Sequence, residues 1–255
     1  MLRINLISEL FCLTLLLVAE VLSQKSNPQP YLRQATITQT GSVVHISANS
    51  FRPLEQVLDA LQLKYGWVVD YEDPQYLVAA DLTSGPVGAA PSLLPAGGNL
   101  TVEFPASSAE EAKTLQLVVD QYQRSNNPGR FELRFSQGDF YVVGIAAHDE
   151  RGRTSKQQSV FDLPLTFPAE ERSITDTINK ICQEITTQSH IAVTLGVSPR
   201  RILDRNSVKL GGNKESAREL LRKSLDATHH SLYWRLLFDP TSKGYFLNIH
   251  SSRIP

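Results

Sequence analysis

A stretch of the first half, residues 42–71 (SVVHISANSFRPLEQVLDALQLKYGWVVDY), returns as a pattern about 115 residues later, at 160–195. This repeat constrains the fold more than any other feature, because one unit that recurs must build the chain twice. Val44 and Ile46 alternate with His45 and Ser47, the two-residue period of a half-buried strand. Asn49 and Ser50 are helix-start residues, and Pro53 suits a first turn, where its missing N–H has no partner to lose. Leu54, Val57, Leu58, Leu61 and Tyr65 then share one helical face, and Gly66 can take the left-handed conformation that stops the helix. Trp67, Val68, Val69 and Tyr71 form the next strand, which Asp73-Pro74 ends. In the second copy Ile174, Ile178, Ile181 and Ile185 repeat the spacing of Leu54, Leu58, Leu61 and Tyr65, and a strand follows at 191–195.

The rest of each half follows the same order. Residues 100–104 alternate as a strand, and Ser108 with Glu111 forms the sequence pattern of a capping box. Ala112, Leu115, Val119 and Tyr122 give that helix its buried face, and two strands at 131–135 and 140–145 are joined by a turn at 136–139. In the second half a short strand at 207–210 precedes a helix capped by Asn213 and faced by Ala217, Leu220, Leu221 and Leu225. Leu232, Trp234, Leu236 and Phe238 then alternate, as do Tyr245, Leu247 and Ile249. The expected fold is α+β: two tandem β-α-β-β-α-β-β modules, at 42–147 and 158–255, with helices packed against small mixed sheets. Polar segments at 24–41 and 148–157 read as linkers, and the Pro/Gly-rich 75–99 reads as a surface loop.

Residues 1–23 carry Arg3, an apolar run from Leu10 to Val18, and Val21 and Ser23 at the small-residue positions of a signal-peptidase site. Export with cleavage is expected, an uncleaved anchor being the alternative; no later segment is apolar for long enough to cross a bilayer. Without those residues the formal charge balances, so neither nucleic acid nor a membrane surface is expected as a partner. The halves differ, however: 42–147 holds six basic and twelve acidic residues, 158–255 thirteen and ten. Cys182 remains as the one cysteine, beside an apolar helix face, and reads as a buried structural thiol.

A strand, a short polar turn, the helix PLEQVLDAL, a closing Gly66, a strand ending in Tyr71-x-Asp73-Pro74, then a capped helix and hairpin: this order resembles the short amino-terminal (STN) domain shared by secretins and TonB-dependent receptors. The first copy carries the resemblance in 51–61, 66–74 and 108–145, the second in 173–195 and 214–249. It implies a periplasmic location in a bacterial envelope and contacts with other envelope proteins rather than chemistry. No pore or barrel sequence accompanies the repeats, which points to an accessory or adaptor protein.

The chemistry-bearing residues agree with that expectation. His229 and His230 are adjacent and diverge at a helix end, and there is neither a phosphate-binding Gly loop nor a nucleophile elbow. No catalytic residue, metal or cofactor is expected. Arg200, Arg201 and Arg205, with Lys209 and Lys214 nearby, form the one charge cluster that could receive an acidic partner surface. Trp67 and Tyr71, with Tyr76, are candidate aromatics for a second reading, a groove between the repeats that binds a small molecule or glycan. Self-association, acidic half to basic half, is a further expectation.

Overall fold

The computed structural model of the chain describes residues 34–85 and 92–252. The expected signal segment, the start of the linker at 24–41 and the centre of the Pro/Gly-rich loop lie outside the described residues. The first half comprises β1 (Thr36–Thr40), β2 (Val43–Asn49), α1 (Pro53–Tyr65), β3 (Val69–Glu72), β4 (Leu82–Ser84), β5 (Leu93–Pro95), β6 (Asn99–Pro105), α2 (Glu111–Gln123), β7 (Arg130–Ser136) and β8 (Asp139–His148). After β9 (Thr154–Lys156), the second half comprises β10 (Pro164–Ser173), α3 (Ile174–Ser189), β11 (Val193–Leu195), α4 (Arg200–Leu203), β12 (Ser207–Ser216), α5 (Ala217–Asp226), β13 (Leu232–Asp239) and β14 (Gly244–Ser251). The fold is α+β, with helices packed on small sheets.

The repeat is visible in the pairings. In the first half β2 runs antiparallel to β6, β3 parallel to β8, and β7 antiparallel to β8. In the second half β10 pairs with β12, β11 with β14, and β13 with β14, in the same three senses. The two halves also join: β13 pairs in parallel with β3, so the strands form one sheet in the order β11-β14-β13-β3-β8-β7, with β9 added to β8.

Local chemistry accounts for most of the boundaries. Pro53 stands in the first turn of α1, and Gly66, at φ +74°, closes it by donating to the Gln62 carbonyl. Ser173 caps α3 by accepting from the Asp176 N–H. The hairpin between β7 and β8 turns on Gln137 and Gly138, both at positive φ, which matches the twist of its strands.

Other expectations change. The cap of α5 is Ser216, in a capping box with Glu219, rather than Asn213, because β12 continues past Asn213 with Lys214 at φ +61°. Helix α2 starts at Glu111 behind Glu110 with no side-chain cap, since 106–108 are spent on a turn of 3-10 helix. Both polar segments read as linkers contribute strands, β1 in one and β9 in the other, because their polar side chains face water while their backbones complete sheet edges. The Pro/Gly-rich loop holds the β4–β5 hairpin, and the Leu93 N–H donates to Thr241 Oγ1, which ties it to the body.

Each half has its own core. In the first, Val44, Ile46, Leu54, Leu58, Leu61, Leu115 and Val119 are enclosed by α1, α2 and the sheet; in the second, Ile174, Ile178, Ile181, Leu221, Leu225 and Trp234 are enclosed by α3, α5 and the sheet. Burying one such side chain contributes about 1.5–3 kcal/mol, so these faces hold the helices down. The two cores lie on opposite faces of the shared sheet. Tyr71 sits opposite Arg235 and belongs to the first core, whereas Leu236, one residue on and opposite Glu72, belongs to the second. Tyr141 and Val143 of β8, strand residues of the first half, pack in the second core.

Candidate functional site

Strands β3 and β13 are in register at only two positions, Tyr71 with Arg235 and Glu72 with Leu236. Side chains complete the seam. Asp70 Oδ1 accepts the Trp234 N–H at 2.8 Å, and Asp73 Oδ2 accepts the Phe238 N–H at 3.0 Å, while the Asp73 N–H donates to the Leu236 carbonyl. Arg235 Nη1 donates to the Val69 carbonyl, and Arg52 links Asp73 to the Phe238 carbonyl at 2.7 Å each way. Carboxylates and guanidinium groups here stand in for the strand carbonyls and amides that the short overlap leaves without partners.

Ion pairs extend the seam across its width. Arg218 grips Glu72 through Nε and Nη2, the latter at 2.8 Å from both carboxylate oxygens; Arg235 meets Asp59 at 2.6 Å, and Arg222 lies 3.5 Å from Asp139. In the other direction Arg134 reaches Asp162 at 2.9 Å, and Arg218 also binds that carboxylate. The acidic excess of the first half and the basic excess of the second therefore meet inside the molecule. Asp70 and Glu72 are each 1% exposed. Burial pushes the Asp70 carboxyl up to about 8 against the pull of the Trp234 N–H, Arg222 and Arg235. It pushes the partly buried Glu55, beside Arg52 and Arg235, up to about 7. Burial also opposes ionisation of Asp162, yet Arg218 and Arg134 hold its carboxyl below the ordinary value.

A cavity of about 100 Å³ opens beside this seam, lined by Arg134, Tyr141, Ser216, Arg218, Glu219 and Arg222. Its arginines are already committed: Arg134 to Glu132 and Asp162, Arg218 to Glu72 and Asp162, Arg222 to Asp226 and Asp139. The pocket therefore offers an anionic ligand little uncompensated charge.

Two of the aromatic candidates are buried, and Trp67 is half-buried against the first core. Tyr71 is buried, donates to Asp73 Oδ1 at 2.7 Å and stacks on Phe131. Tyr76 is buried in the second core, and Trp67 packs its ring on Tyr65 with centroids 4.6 Å apart. The three do not line a common groove. Cys182 is buried, which pushes its thiol up to about 12 and keeps it protonated. Among the described residues no three His, Cys, Asp or Glu side chains gather as a metal site.

The basic cluster stands apart from the seam. Arg200 and Arg201 lie on α4, a single turn after β11, and Arg205 follows it; all three are exposed. Among the described residues none of the three is within ion-pair distance of a carboxylate, whereas Arg52, Arg134, Arg153, Arg172, Arg218, Arg222 and Arg235 all are. Lys209 is exposed too, but stands across from Glu171 in the β10–β12 ladder. Sequence reasoning found this turn by its charge density and missed the seam, whose members are scattered from Arg52 to Arg235.

No family model matches the chain, and no curated protein or solved structure compared with it matches either.

Proposed function

We propose that the protein is a non-enzymatic interaction protein of the bacterial periplasm, an adaptor that docks an acidic surface of an envelope partner on its basic turn. The observation that carries this reading is the contrast among its arginines. Arg222 and Arg235, which are buried, and the partly buried Arg52, Arg134, Arg172 and Arg218 are matched to carboxylates. Among the described residues Arg200, Arg201 and Arg205 lie within six residues of one another, all exposed and without an ion pair, as Arg124 and Arg151 are singly elsewhere. Arginine clusters of this kind bind carboxylate-rich surfaces through charge-assisted hydrogen bonds and are costly to no other part of the fold. The resemblance of the repeats to the STN domain supports the envelope location and an accessory role in outer-membrane secretion or transport. Among the described residues no helix is long and apolar enough to cross a membrane. The glycan-binding reading has less support, since Tyr71 and Tyr76 are core residues.

In-cell cross-linking of the mature chain, followed by mass spectrometry, tests the proposal. A discrete envelope partner is expected with the native chain and is expected to be lost with Arg200→Glu, Arg201→Glu and Arg205→Glu combined. Retention of that partner by the triple variant would refute the assigned surface, and the absence of any partner would refute the adaptor role.

A further inference from the structure

The seam between the repeats is heterologous: β3 of one unit meets β13 of the other, and the equivalents of those strands, β11 and β7, are the two ends of the sheet. Across the sheet β11 and β14 run one way, β13, β3 and β8 the other, and β7 the first way again. The units keep the same left-to-right order, reverse their strand direction and bury opposite faces. The operation is a half-turn about an axis across the strands combined with a shift along it. Such an operation does not close on itself, and repeating it twice is a plain translation of the whole chain.

We infer that a second copy of this chain adds end to end, β7 of one copy pairing in parallel with β11 of the next in the register of the internal seam. Phe140 faces both Val69 and Phe135, and Tyr245 faces both Val193 and Phe238, so the two units align unambiguously. Transferring the pairing of Leu236 with Glu72 then sets Leu133 opposite Gly196, Arg134 opposite Val197, and Phe135 beside Ser198. Phe135 is 65% exposed and Val197 67%, large apolar side chains at the two sheet ends that this junction covers on opposite faces, Phe135 beside Ser198 and Val197 beside Arg134.

The ends carry plugs. Asn248 Oδ1 accepts the Val197 N–H at 2.8 Å, the counterpart of the Asp73 N–H that the internal seam uses; Gln123 Nε2 donates to the Phe131 carbonyl on β7. A side-chain amide thus covers one polar group at each end, as exposed sheet edges require. The charged ties of the internal seam do not recur, because Thr194 replaces Asp70, Val197 replaces Asp73 and Glu132 replaces Arg235. The junction between copies is therefore weaker than the seam within one copy, and assembly depends on concentration.

Sedimentation velocity on the mature chain across a concentration series tests this. Mean mass is expected to rise without a plateau at the dimer. Phe135→Lys and Val197→Lys, both at exposed positions, each remain monomeric alone, and an equal mixture of the two stops at a dimer, since only one productive pair of ends is left. Gln123→Ala with Asn248→Ala is expected to lower the concentration needed at least severalfold. The inference fails if the native and unplugged chains are both monomeric throughout, if the lysine variants still assemble alone, or if their mixture gives no dimer.

Discussion

Asp70 has its carboxyl among three charged neighbours and a backbone N–H, and burial still dominates, holding the proton to about pH 8. Unfolded, the same group releases its proton near pH 4. The folded state therefore binds the extra proton between those values, and stability present below about pH 4 is lost as pH rises through about 8. Glu55 adds to the trend in the same direction up to about 7. Urea midpoints are expected to fall from pH 5 to pH 8, with stability dropping by at most about 1.4 kcal/mol per pH unit from Asp70. Asp70→Asn should flatten that slope while keeping an acceptor for Trp234. Arg218→Ala leaves Glu72 charged and buried and is expected to cost about 3–5 kcal/mol; adding Glu72→Gln should recover part of it, as chemical denaturation would show. These residues were hard to read in the sequence for a physical reason. Arg235 stands in the polar slot of an alternating strand, where water is the ordinary neighbour, and only a pairing partner distant in the chain puts it indoors. Tyr71 was legible as a strand residue, but β3 is buried on both sides and lacks the alternation that tells inside from outside.

At the scale of elements, close approach decides one of the joins. A Cβ on Gly144, in β8, would lie 2.2 Å from the Pro74 nitrogen and 2.4 Å from its Cδ, so the chain leaving β3 can cross β8 only over a glycine. Gly144→Ala is expected to lower stability by about 3 kcal/mol, measured as a shift in the denaturant midpoint with an unchanged slope. Ser216→Ala removes the cap of α5 and should cost about 1 kcal/mol by the same measurement. Helices α1, α3 and α5 and the β7–β8 and β13–β14 hairpins were legible because their signals are local: a proline, a glycine, an apolar face, a tight turn. The strands β1 and β9 were not, since their role is fixed by a neighbouring edge in need of partners and their own side chains are polar. The cap of α5 was misplaced by three residues because Lys214 adopts a conformation that its residue type rarely takes.

For the molecule as a whole, the shared sheet joins two cores that the repeat pattern presents as separate. Calorimetry of residues 24–255 is expected to show one transition, and a fragment of residues 158–255 alone should be unfolded or aggregate, because it would expose core residues such as Trp234 where Tyr141 now packs and would leave Arg235 without Asp59 and Arg218 without Glu72. Two transitions, or a folded fragment, would show that the seam is dispensable. The crossing of faces at that seam has a consequence for how such a chain can change over generations. Along β3, Val69 and Tyr71 serve one interior while Asp70 and Glu72 serve the other. A substitution in this strand is thus judged by two interiors at once, and a shift of one residue in its frame would exchange every allegiance. The two copies, however they began, are no longer free to drift apart.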